Sequence, residues 1–247
     1  MNDQGIRIEG LAAGYGSRDV LHGVDLDVPQ GTTTVLLGRN GTGKSTLLKA
    51  CLGVLKPKSG SVRVLGLDPL RRRAEVLTHV GYVPDKPDVY PWMRPRDLFR
   101  LLKAHHPRWS DVRARELCER LEVPRSTRFK ALSRGQGMRA MLAAALVPDP
   151  EVLLLDEPFG GVDIAAREDL LRGVLRVLDG ATRTVLVTTH DLDIASRIAD
   201  RVVVLDGGRV VREGPLDDFV GDQGAERALR DLLVDLPARE AAQEVVA

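Results

Sequence analysis

The sequence predicts an α/β fold: a mainly parallel sheet with helices on its faces, an N-terminal antiparallel β layer and an inserted helical subdomain. Three observations carry this. Short, continuously apolar runs alternate with helical patterns in the second half, as buried parallel strands joined by crossovers do. Short segments punctuated by glycine and proline fill the stretch up to Leu65. From Arg94 to Val147 the apolar spacing is helical throughout.

Taken in order, Ile6–Glu9, Val20–Val28 and Ser61–Leu65 read as strands of the antiparallel layer. Thr32–Leu37 is a buried-type strand, and Lys44–Leu52 has helical periodicity. The insertion holds helices over Arg96–Ala104, Asp111–Leu121 and Arg134–Val147. Strand Val152–Leu155, helix Ala165–Leu178 and strand Thr184–Thr189 follow, then helix Leu192–Ala199, with Asp191 a plausible N-cap, and strand Arg201–Leu205. Residues 1–222 are expected to form one domain with the helical subdomain at 87–147 inserted, and 223–247 a C-terminal helix and tail.

Hydrophobic residues make up 43% and charged residues 29%, a soluble globular balance. A net charge of +1 gives no bulk electrostatic case for nucleic acid or a membrane surface, and no nucleic acid partner is expected. Arg71-Arg72-Arg73 reads as a solvated face. Cys51 and Cys118 offer neither a disulfide framework nor metal spacing, which suits a reducing compartment. The longest apolar run, Ala140 to Val147, is too short to span a bilayer, and MNDQGIRIEG lacks the regions of a signal peptide. The expected location is cytoplasmic.

GRNGTGKST, Gly38 to Thr46, matches G-x-x-x-x-G-K-[ST] between an apolar strand and a helix, the context of a P-loop NTPase core. Gly38, Gly41 and Gly43 let backbone N–H groups turn inward as an anion cradle, while Arg39, Asn40 and Thr42 fill free positions of the motif. Lys44 would reach the β- and γ-phosphates of ATP, and Ser45, followed by Thr46, would bind Mg²⁺.

VLLLDEP, Val152 to Pro158, puts two acids at the carboxyl end of a buried strand, where ligands of open α/β sheets bind. Asp156 would hold Mg²⁺ through water, and Glu157 is the candidate general base. The pair also reads as a plain polar strand exit, with Pro158 ending the ladder. His190, just past another apolar strand, is either a packed or surface histidine or a hydrogen-bonding partner for a γ-phosphate. Tyr15, between two glycines, is either a surface loop residue or a stacking platform for a base.

ALSRGQGMRA, Ala131 to Ala140, opens a helix with Ser133 as N-cap and Gln136 closing a capping box. Gly135 and Gly137 lie in its first turns, where each costs up to ~1 kcal/mol relative to alanine. A helix start selected only for stability would not carry them.

With these residues in place the chain resembles the ATP-binding subunit of ABC transporters, over nearly its whole length. GRNGTGKST resembles the family's phosphate loop, VLLLDEP its acidic strand, LSRGQ (Leu132–Gln136) its signature, and GGVD, ending at Asp163, its D-loop. His190 matches the switch histidine and Tyr15 the aromatic that stacks on adenine. The resemblance implies an ATPase and a head-to-tail homo- or heterodimer. In that dimer Ser133, Gly135 and Gln136 of one chain wall the nucleotide site of the other. It also implies an integral membrane permease as partner, and hence a place at the inner face of the membrane. Asp85 stands where the family has a glutamine that senses Mg²⁺. It would reach the ion through water or loop movement, or it has left the site.

Arg134 stands in place of a signature glycine, facing solvent or adding a cation near the partner's phosphates; Phe159 and Gly160 also depart from the pattern. The segment Asp88–Phe99 resembles the helical subdomain of small ABC-2-type exporters of antibiotics and other hydrophobic compounds. Within it Tyr90, Trp92 and Met93 form either a socket for a permease helix or part of the insertion's own core. A soluble ABC-type ATPase without a permease, an importer subunit and a regulatory pseudo-ATPase are the alternatives.

Overall fold

Side chains of a strand leave the sheet alternately to its two faces, and in this chain both faces are buried. The computed structural model describes residues 4–178, 182–220, 226–227 and 229–230. Its main sheet has six strands in the order β5 (Val80–Val83), β6 (Val152–Asp156), β7 (Thr184–Thr189), β3 (Thr33–Leu37), β8 (Arg201–Asp206) and β9 (Arg209–Pro215). All are parallel except β9, which runs antiparallel to β8. A second, antiparallel sheet is ordered β2 (Arg18–Pro29), β1 (Gln4–Tyr15), β4 (Ser59–Val64).

Val35, Leu37, Leu153, Leu155, Val185 and Val187 point to one core. There they meet the helices α3 (Pro95–His105), α4 (Asp111–Arg120), α5 (Arg134–Leu146), α6 (Ile164–Leu178) and α7 (Leu192–Ile198). Leu36, Leu154, Leu186 and Val203 point the other way, against the antiparallel sheet and α1 (Lys44–Cys51). Each fully buried Leu or Val contributes about 1.5–3 kcal/mol. A one-residue slip of any central strand would exchange its two sets, so register is tightly specified.

The predicted mainly parallel sheet, N-terminal antiparallel layer and helical insertion are all present. Three elements were not foreseen: α2 (Arg73–His79), β5 and β9. β1 runs past Glu9 to Tyr15 because bulges between Ile8 and Leu11 shift the register and let pairing resume. The segment 94–147 is not helical throughout, since a 3-10 turn at Phe129–Ala131 and extended links separate its three helices. The terminal helix expected over 223–247 lies largely outside the described residues; Glu226, Arg227, Leu229 and Arg230 are helical, and Leu229 is buried.

Tyr90 and Trp92 stack with ring centroids 4.6 Å apart and are 62% and 63% exposed, whereas Met93 packs on the core. Met93 therefore belongs to the insertion's core, and the Tyr90–Trp92 pair stands outside it. Arg71, Arg72 and Arg73 are exposed, and both cysteines are buried and free. No helix among the described residues is long and apolar enough to cross a membrane.

Candidate functional site

The strand order sets β6, β7 and β3 side by side, so the turns leaving their carboxyl ends converge. They wall a cavity of about 510 Å³. Of the residues singled out in the sequence, Tyr15, Asn40, Gly41, Gly43, Lys44, Ser45, Thr46, Asp85, Arg134, Glu157, Gly160 and His190 line it.

The phosphate loop folds around its own lysine. Lys44 Nζ donates to the carbonyls of Gly38 (2.7 Å) and Arg39 (3.1 Å), and the side chain is 6% exposed. Thr42 Oγ1 donates to the Arg39 carbonyl, closing the loop from the far side. Gly43, the N-cap of α1, has φ +108, and a Cβ there would lie 2.6 Å from Leu21 Cδ2. A side chain at 43 is excluded twice, by conformation and by space. The loop and the amino end of α1 thus border the cavity, the setting in which backbone N–H groups bind anions.

Ser45 and Asp156 meet directly. Ser45 Oγ donates to Asp156 Oδ1 at 3.0 Å, and Thr188 Oγ1, from β7, donates to the same oxygen at 2.8 Å. Burial raises the Asp156 carboxyl above its ordinary pKa; the two hydroxyl donors oppose this, and the charges of Asp85 and Glu157 add to it. Asp156 against the Ser45 hydroxyl, within reach of the charges of Asp85 and Glu157, forms a hard-oxygen, electronegative corner, chemistry that fits a Mg²⁺ completed by phosphate oxygens and water. Among the described residues no cluster of three or more His, Cys, Asp or Glu side chains could hold a metal unaided.

Glu157 lies between two nitrogens. Its Oε1 is 3.0 Å from Lys44 Nζ, an ion-pair contact off hydrogen-bond geometry, and its Oε2 is 3.0 Å from His190 Nδ1. A carboxylate only accepts, so Nδ1 carries the proton of that bond. Glu157 has φ +43, a left-handed conformation uncommon for a side chain of this kind. Its N–H is held by both the carbonyl (3.1 Å) and Oγ1 (3.0 Å) of Thr188. His190 is half exposed, and Asp191 behind it caps α7 by accepting from the Ile194 N–H.

Tyr15 is 48% exposed, with Lys49 Nζ 5.5 Å from its ring centroid. Asp85 has not left the site: it is exposed at the cavity wall, and its charge reaches Asp156. Ser133 and Gln136 form the expected capping box, with Ser133 N–H donating to Gln136 Oε1 (3.0 Å) and Gln136 N–H to Ser133 Oγ (3.2 Å). Neither they nor Gly135 belong to the cavity wall among the described residues. The helix glycines have a reason within the chain. A Cβ on Gly135 would stand 3.3 Å from Ala166 Cβ, and one on Gly137 would stand 3.0 Å from Pro87 Cγ. Residues the motifs did not bring to the site are Arg18 and Val20. The sequence signal for them is the tight Gly16–Ser17 turn, which pairs Tyr15 with Arg18.

Comparison with known proteins agrees with this fold. The ABC transporter family pattern matches residues 21–160, more than half of the chain. This chain belongs to the ABC transporter family. It is an ATP-binding subunit of a transporter, and an ATPase. It is 36% identical to a daunorubicin resistance ATP-binding protein of Streptomyces coeruleorubidus, over 98% of this chain and 76% of that protein. An aliphatic sulfonates import ATP-binding protein of Corynebacterium glutamicum is 35% identical over 85% of this chain and 84% of its own length. A solved ATP-binding subunit of an ABC transporter superposes with a TM-score of 0.79 at 26% identity, covering 92% of this chain and 98% of that one. ATP-binding subunits of the ABC family dimerise and work with membrane permease components.

Proposed function

We propose that this ABC subunit turns ATP binding and hydrolysis into export of a hydrophobic small molecule through a separate permease, from the cytoplasmic face of the membrane. The observation that carries the hydrolytic part is the placement of Glu157 at the cavity wall between Lys44 and His190. In this reading Tyr15 stacks on adenine, and the loop from Gly38 to Thr46 cradles the phosphates, with Lys44 exchanging its contact with Glu157 for phosphate oxygens. Ser45 and Asp156 would hold Mg²⁺, with Asp85 beside them, and the ion would supply charge neutralisation on the phosphates. Glu157 takes the proton of the attacking water as ADP and phosphate form. His190 orients the Glu157 carboxylate through its Nδ1–H.

Ser133, Gly135 and Gln136 lie outside their own chain's cavity, which supports their walling the nucleotide of a second chain. ATP bridging two subunits then favours the closed pair, because the triphosphate touches both chains closed and one chain open. We take 1–222 as the ATP-binding domain, 87–147 as its helical insertion and 223–247 as a C-terminal tail. Export is favoured by the match to a resistance protein across nearly the whole chain. Import is the second reading, since a sulfonate importer's subunit is similar to about the same degree.

Inside-out vesicles carrying this chain with its permease separate the two: export gives ATP-driven uptake of a hydrophobic dye, and movement only in the opposite direction selects import. The stacked Tyr90–Trp92 pair is the proposed permease contact. The double change Tyr90→Ala, Trp92→Ala should leave turnover of the isolated subunit within about twofold. Recovery of the subunit with permease-containing membranes should fall at least about tenfold. Unchanged recovery removes this surface from the interface.

A further inference from the structure

Adjacent residues at the start of α5 face different tasks. Ser133 is exposed, with its hydroxyl occupied by the capping box. Arg134 turns back into its own chain. Its Nη2 donates to the Asp85 carbonyl at 3.0 Å, joining positions 49 apart in the sequence. The guanidinium also lies over the Gly160–Gly161 turn. A Cβ on Gly161 would stand 3.2 Å from Arg134 Cζ, and one on Gly160 would stand 3.8 Å from Nη2. That turn is closed on Glu157 itself, because the Gly160 N–H donates to the Glu157 carbonyl at 3.0 Å. Arg134 lines the same cavity as Lys44, Glu157 and His190, and its Nε is buried without a hydrogen-bond partner. Asp85, Arg134 and Gly160, three of the positions where this chain departs from the family pattern, therefore meet at one guanidinium.

We propose that Arg134 acts in cis, as a positioning residue for Glu157 of its own chain. A left-handed residue such as Glu157 persists only where its surroundings over-determine it. Thr188 fixes the Glu157 N–H from one side. The guanidinium plane fixes the turn that follows Glu157 from the other, filling the space that Gly160 and Gly161 leave open. Arginine suits the task because its planar fork can bond the Asp85 carbonyl while its face rests on peptide groups; a lysine ammonium offers a point charge and no face. The signature helix would thus report its position to the site in its own chain through Arg134, while Ser133 serves the neighbouring chain's site. This proposal rests on the reading of Glu157 as general base.

The test uses steady-state ATP turnover by Arg134→Gly and Arg134→Lys. Displacement of a reacting group predicts kcat lower by about tenfold in both variants, with KM for ATP within about twofold of wild type. Arg134→Lys keeps the aliphatic stem and guards against a folding defect, which thermal melting would register. Added guanidinium ion should restore part of the Arg134→Gly rate, and ammonium should not. Wild-type kcat in both variants overturns the proposal.

Mixing chains then separates cis from trans. Ser133→Arg mixed with Glu157→Gln should regain turnover above the sum of the parents, because one composite site is intact. Arg134→Gly mixed with Glu157→Gln should not, because each site carries a defect. A gain in the second mixture places Arg134 across the interface and overturns the proposal. No gain in the first mixture overturns the two-chain site instead, and the single-variant kinetics and guanidinium rescue then decide Arg134 alone.

Discussion

Glu157→Gln should lower ATP turnover by about 10²–10⁴-fold, the range lost when a positioned general base is removed. The substitution keeps the side chain's size, so the fold and the Thr188 contacts to the Glu157 backbone should survive. ATP affinity should not fall, and should rise. The Glu157 carboxylate lies 3.0 Å from Lys44 Nζ and would compete with phosphate for that charge. An uncharged amide releases the ammonium. Phosphate release under saturating MgATP, with nucleotide binding measured in parallel, separates the two effects. Turnover near wild type would remove Glu157 from the chemistry, whatever its geometry.

Lys44→Ala should weaken ATP binding at least about tenfold, since a charge-assisted hydrogen bond is worth about 1.5–3 kcal/mol. Turnover should be lost almost entirely. Lys44→Arg should fail as well. The Lys44 ammonium is a compact charge fitted between the Gly38 and Arg39 carbonyls, and a planar guanidinium does not enter that space. The alanine variant also leaves both carbonyls and the Glu157 carboxylate without their cation, so its thermal midpoint belongs beside the binding curve. Wild-type affinity in a folded Lys44→Ala protein would place the phosphates elsewhere in the cavity.

The features legible in the sequence were those written in a single segment. Thr33–Leu37, the following glycine loop and α1 announce themselves as strand, anion cradle and helix. Val152–Asp156 and Thr184–Thr189 show the continuous apolar pattern of strands buried on both faces. Because ligands of this architecture bind at strand ends, the placing of Asp156, Glu157 and His190 at such ends was legible as well, while their roles stayed open. The rest depends on partners distant in sequence. β5 is four residues long and includes Gly81, too short to show a period, and it exists because β6 pairs with it. β9 is a mostly exposed edge strand, although the Gly207–Gly208 turn joining it to β8 was an available hairpin signal. Arg18 and Val20 reach the cavity only through the pairing of β1 with β2. The direction of Arg134 was undecided for the same reason, since the Asp85 carbonyl that anchors it lies in another segment.

The claim on which the account turns is that each ATP is held by Lys44 of one chain and covered by Ser133 of another. Sedimentation of the Glu157→Gln chain at saturating MgATP, with bound nucleotide counted, tests it most directly. The account predicts a complex of two chains holding two ATP molecules, abolished by Ser133→Arg. A chain that binds ATP and remains monomeric, or a dimer indifferent to Ser133→Arg, would contradict it.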